Sequence, residues 1–352
     1  IEDWDWSLSI DENTLKGALP TDGSLRAARL VITLFLPLSL VFIYLAGINL
    51  SGRWAGLIAV LLYGMNSLVL LHGRRAMTEG PYLLGVILLI WALSRSRTSP
   101  ILVGAAFALA LNSKLTALFL LPAALVAILW QSNLDSANLA QRRLVSRAVL
   151  NLGAFSLVIL TISGLLNPVF WGDPLHAFQL SISERQKLLA AQVQATSLFA
   201  PNQVLISPIR RLIALIANVF ILEPSFSEIG NYADWSAPVE ASYLARPESS
   251  VLRGLVGGGV VAALFVFGLI ASTLQSIRGK ARASRRIVLV LIATLCQFSG
   301  LLLAIQLPWQ RYTIGFVPFV SIWIALGLVA AGRTVRTALT SNRNPETMES
   351  LS

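Results

Sequence analysis

The chain has little of what soluble proteins rely on. Of its 352 residues only 12% are charged, against about 25% in a soluble domain. A single cysteine, Cys296, excludes an intrachain disulfide and a cysteine-based metal site. The two histidines, His72 and His176, lie far apart in sequence and make a poor metal pair. The opening residues, IEDWDWSLSIDE, have no basic n-region and no apolar core, which excludes a cleavable signal peptide there. No internal repeat is visible, and this argues against a transporter or flippase built from paired halves.

What is present in quantity is apolar sequence. Hydrophobic residues make up 55% of the chain and mean hydropathy is +0.72. Apolar runs of membrane-spanning length recur, so the expected fold is an all-α polytopic membrane protein. The net charge is +10, but the basic residues are spread over short loops between apolar runs. That is the pattern of membrane topology rather than of a nucleic-acid face, so membrane lipids are expected as partners and nucleic acid is not.

Residues 1–26 form a polar segment rich in Asp and Glu. Residues 27–332 form the transmembrane domain, with about nine spans expected and an extracytoplasmic region at 167–250. Residues 333–352 form a polar tail. The spans run from Leu30 to Leu50, Trp54 to Leu71, Pro81 to Leu93, Pro100 to Leu111, Leu115 to Trp130 and Ala148 to Leu166. Three more follow, from Val251 to Leu274, Ile287 to Leu307 and Tyr312 to Ala331. Alternating them gathers Arg53, Arg95, Arg97, Arg142, Arg143, Arg147 and the RGKARASRR loop on one side, with Arg333, Arg336 and Arg343. Only Asp135, Glu346 and Glu349 oppose them there, so that side reads as cytoplasmic. The scheme requires that Ile209 to Leu222 not cross, and it is expected to be interfacial or re-entrant.

The other side gathers residues from distant parts of the chain. Arg74, Arg75 and Glu79 precede the third span, Lys114 separates the fourth and fifth, and Arg311 opens the last. Cations at headgroup depth suit a phosphorylated lipid. Carboxylates beside them suit general-base or divalent-metal chemistry. If Glu79 pairs with the arginines, Lys114 and Arg311 remain for the phosphate. Lys114→Ala is then expected to weaken lipid binding and leave the fold intact.

The segments LRAARLVITLF, GRWAGLIAVLLYGMNSLVLLHGRRAMTEGPYLL, GAAFALALNSKLTALFLLPA, LNPVFWGDPL and LPWQRYTIGFVPF occur in that order between Leu25 and Phe319. In order and spacing they resemble the protein O-mannosyltransferase and aminoarabinose-transferase branch of the glycosyltransferase C superfamily. The resemblance implies an integral membrane enzyme, here of a prokaryotic plasma membrane. Such an enzyme moves a sugar from a polyprenyl-phosphate donor to an acceptor on the extracytoplasmic face. It implies lipid-phosphate contacts at Arg74 or Arg75, Lys114 and Arg311. Glu79, Asp173 and His176 are supporting candidates. No metal ligand set is assigned, though a divalent ion is compatible with the carboxylates. The family's catalytic acid, often an Asp-Glu pair, follows a membrane helix. Asp11 and Glu12 are such a pair, but no helix precedes Ile1, so the acid is expected upstream of it. The alternative is a catalytically inactive relative serving as a structural subunit beside other membrane proteins.

Overall fold

The computed structural model describes residues 5, 8, 10–18, 21–73, 75, 77–135, 141–225, 233–278 and 281–341. Every regular element among them is helical. After a short α1 (Ile10–Leu15), the long α2 (Asp22–Ser51) starts where Thr21 caps it, its hydroxyl accepting from the Ser24 amide. The helix therefore begins ahead of the apolar run from Leu30 and continues through residue 26, where a polar segment was expected. Gly52, at φ 98°, reverses the chain directly into α3 (Arg53–Gly64). A residue with a β-carbon would be strained there.

The second expected span is broken. Asn66 stops α3 and caps α4 (Ser67–His72), accepting from the amides of Leu68 and Val69. Next come α5 (Glu79–Ser94) and α6 (Pro100–Ser113). Lys114 is extended at the end of α6, and a 3-10 turn (Leu115–Leu120) leads into α7 (Leu121–Asp135). Then α8 (Gln141–Leu166) precedes α9 (Pro174–Phe199), a helix of 26 residues. Asp173 caps the N-terminus of α9, its carboxylate accepting from the His176 amide, with Pro174 in the first turn.

The segment Ile209 to Leu222 forms α10 (Pro208–Ile216) and a π-helical turn (Ala217–Ile221). Arg211 donates to the Leu303 carbonyl, and Asn218 to that of Pro308. Both halves thus touch one end of the bundle, and the segment does not run to the other. Short helices α11 (Ala233–Leu244) and α12 (Pro247–Ser250) precede α13 (Gly254–Arg278) and α14 (Ala281–Ala304). The chain closes with α15 (Gln310–Thr313) and α16 (Val317–Ser341).

Among the described residues six helices are long and apolar enough to cross a membrane: Asp22–Ser51, Leu115–Asn133, Val145–Leu166, Gly254–Arg278, Ser284–Ala304 and Gln310–Arg336. Three shorter apolar helices, α3, α5 and α6, pack among them. The chain is a multi-pass integral membrane protein. Burial divides its helices sharply. Along α5 nearly every residue is buried, and it packs against α2, α6 and α14. On α8, Leu150 and Leu160 are each 70% exposed, an arrangement suited to lipid rather than water. Small residues let the backbones approach. A β-carbon on Gly47 would lie 2.6 Å from the Gly56 backbone, and one on Gly327 2.4 Å from Gly268.

The end of the bundle opposite α10 is tied by arginines. Arg285 is buried and donates to the Gln131 side chain, the Ser96 carbonyl and the Thr98 hydroxyl. Arg286 and Arg333 donate to the Asn49 and Ser51 carbonyls at the C-terminus of α2. These cations satisfy carbonyls that the helix leaves open. Basic residues that the charge pattern placed on one side thus share one end of the fold.

Candidate functional site

At the other end, α4 and α6 finish while α5 and α15 begin. Glu79 is the first residue of α5 and is 2% exposed. Lys114 ends α6, and its ammonium lies 3.0 Å from Glu79 Oε1. It also donates to the Arg311 carbonyl, at 2.5 Å. The rings of Tyr312 and Tyr82 flank it, with centroids 5.5 and 5.8 Å away. One lysine therefore joins α5, α6 and α15 across 197 positions of sequence.

Arg311 places its guanidinium over Trp309, 4.8 Å from the ring centroid, and over Tyr312 at 5.8 Å. The two rings stack at 5.5 Å. From α9, Arg185 reaches the same stack, 5.9 Å from the Tyr312 centroid, and donates to its hydroxyl at 3.4 Å. Guanidinium planes held on aromatic faces are fixed in orientation by cation–π contact.

These groups line a cavity of about 1170 Å³. Its floor is Glu79, Lys114, Arg311 and Tyr312, and its far wall is one face of α9 from Arg185 to Phe199. The lining is mostly apolar with a few polar groups, the usual make-up of a ligand site. Behind the floor, His72 is 1% exposed, and neither ring nitrogen has a hydrogen-bond partner among the described residues. Burial pushes its pKa down to about 3. The nearby Arg75 adds to the effect, Glu79 opposes it, and Lys114 and Arg311 add smaller amounts. The imidazole is neutral under ordinary conditions.

The predicted residues divide accordingly. Glu79, Lys114 and Arg311 meet in the cavity. Arg75 stands beside His72 rather than in the cavity lining, and Arg74 lies outside the described residues. Asp11 and Glu12 are exposed on α1, and neither lines the cavity. Asp173 caps α9 and His176 is exposed in its first turn, both away from the lining. The expected pairing is also corrected. The arginines expected beside Glu79 were Arg74 and Arg75, but Glu79 joins Lys114, because the two helix ends that carry Glu79 and Lys114 are packed side by side. Among the described residues no three His, Cys, Asp or Glu side chains come together to hold a metal.

Sequence reasoning missed Arg185. Residues 185, 188, 192, 195, 196 and 199 line the cavity at the three-and-four spacing of one helix face. That spacing was available, but not what the face looks at.

Residues 18–161 match the family model described as dolichyl-phosphate-mannose-protein mannosyltransferase. Comparison with curated proteins and with solved structures finds no match. The matched stretch holds Glu79 and Lys114, while Arg185 and Arg311 lie beyond it. Residues 18–161, less than half of the chain, are thus similar to the dolichyl-phosphate-mannose-protein mannosyltransferase family.

Proposed function

We propose that the cavity binds a polyprenyl-phosphate-linked sugar and that the protein transfers the sugar to an acceptor on the extracytoplasmic face of a prokaryotic plasma membrane. The observation that carries this reading is the meeting of Lys114, Arg311 and Arg185 around one cavity at one end of a membrane bundle. Cations at that depth take a lipid phosphate while the tail stays among the helices. The family match supports a sugar as the transferred group. The arginine-tied end of the bundle is then cytoplasmic, and the cavity faces outward.

Within this reading the cations have different tasks. Lys114 is committed to Glu79 and to the Arg311 carbonyl, so it holds the floor together and places Arg311. Arg311 from the floor and Arg185 from the α9 wall meet at the Tyr312 ring and contact the phosphate. A second reading, a non-catalytic relative within a membrane complex, is favoured by one observation. Among the described residues the only carboxylate lining the cavity is Glu79, and Lys114 already holds one of its oxygens.

Two measurements on the protein expressed from its complete gene separate these readings. Polyprenyl phosphate should bind in nanodiscs, and Arg311→Ala or Arg185→Ala should weaken it about tenfold, the loss of one charge-assisted contact. Unchanged affinity in both variants would refute the phosphate site. Lipid binding without sugar transfer to any acceptor would favour the non-catalytic relative.

A further inference from the structure

Among the described residues a carboxylate oxygen and an amide oxygen lining the cavity have no hydrogen-bond partner, and the Thr116 hydroxyl beside them has none either. Oε2 of Glu79 is buried on the floor, and its sister Oε1 is the one that Lys114 takes. Oε1 of Gln192 is buried in the α9 wall, and no hydrogen bond reaches it among the described residues. Both residues line the same cavity. A buried acceptor without a donor is costly, so such an atom is a place where a ligand donor is missing. An anion cannot fill it, because a phosphate brings only acceptors. Apolar tail cannot fill it either. The ligand must carry hydroxyl or N–H donors a short distance from the anion that the arginines hold.

We propose that Gln192 on α9, with Oε2 of Glu79, receives hydroxyl groups of the sugar that sits on the lipid phosphate. This rests on the lipid-linked-sugar reading above. It makes α9 the element that distinguishes a glycosylated lipid from the bare lipid phosphate. The position of Gln192 suits that task. It lies seven residues beyond Arg185, about two helical turns, or roughly 10 Å along α9. The arginine and the amide thus face one cavity at separate heights, one for the charged group and one for a neutral group beside it. A cavity of about 1170 Å³ has room for both. An amide reads hydroxyls without adding charge, and a site built to hydrogen-bond a hydroxyl rejects a ligand lacking it.

The test compares two lipids on one protein in nanodiscs: polyprenyl phosphate, and polyprenyl-phosphate hexoses such as the mannosyl and glucosyl forms. Wild type should prefer at least one glycosylated lipid to the bare phosphate. Gln192→Leu should weaken that lipid roughly five- to tenfold and change binding of the bare phosphate little. Gln192→Glu keeps an acceptor oxygen at the same reach. It should weaken both lipids together and keep the preference. Equal loss of both lipids in Gln192→Leu, or a preference left intact in it, would overturn the role of Gln192 and leave the phosphate site standing. Failure of wild type to bind either lipid would remove the lipid reading and this proposal with it. Size-exclusion profiles guard against misfolding, and binding of the bare phosphate in the same variant reports an intact floor.

Discussion

Lys114→Ala should destabilise the protein, contrary to the expectation that the fold would tolerate it. The side chains of Lys114 and Glu79 are 12% and 3% exposed and lie 3.0 Å apart. At that distance and an effective dielectric of about 20, their attraction is about 5.5 kcal/mol before desolvation is subtracted. The ammonium also gives a charge-assisted hydrogen bond to the Arg311 carbonyl, worth about 1.5–3 kcal/mol. Removing the lysine leaves a buried carboxylate with neither oxygen paired, and breaking a buried pair costs about 3–5 kcal/mol. Melting of the detergent-solubilised protein, followed by tryptophan fluorescence, should shift down by several degrees. Replacing both partners, as Lys114→Met with Glu79→Gln, removes the orphaned charge. That double variant should melt above Lys114→Ala, and the double-mutant cycle should show strong coupling. An unchanged melting point in Lys114→Ala, or simple additivity in the cycle, would show that the pair does not hold the floor. Lipid binding by Lys114→Ala is informative only beside these melts.

Other perturbations probe the rest of the frame. Arg253 is 7% exposed and donates to Asn66 Oδ1, Ser67 Oγ and the Asn218 and Leu222 carbonyls, which pins α4 and the π-helical turn to α13. Arg253→Ala should cost about 3 kcal/mol or more, and an unaltered melt would contradict that role. His72 titrates at about 3 in the fold and near 6.5 when unfolded. Below the unfolded value only the unfolded chain takes up the proton, so stability falls as pH drops from about 6.5 toward 3. His72→Phe should flatten that slope, and an identical pH profile in the variant would exclude the histidine as its cause. Cysteine labelling of intact cells, with Cys296 replaced, should reach the 167–250 region from outside and the loop around Arg282 only after permeabilisation. Labelling of both from one side would end the topology.

Class and much of the architecture were legible in the sequence because they follow from local quantities. Apolar run length identifies membrane helices whatever packs around them, and the positions of Arg and Lys sort the loops by side. Arg285, Arg286 and Arg333 meet at one end of the bundle as that sorting requires. The membrane also fixes depth, so Glu79, Lys114 and Arg311 could be assigned to one level before any contact was known. Lateral position was not legible. It comes from which helix faces fit together, through approaches such as Gly47 to Gly56 that depend on both partners. Tertiary structure therefore decided that Glu79 pairs with Lys114, that Asp11 and Glu12 stand away from the cavity, and that Arg185 and Gln192 look into it. The sequence of α9 contains its stripe, but a stripe has no meaning until a neighbour faces it. Depth is imposed on each residue by the bilayer, one helix at a time, whereas a site is a relation between helices and exists only once they are packed.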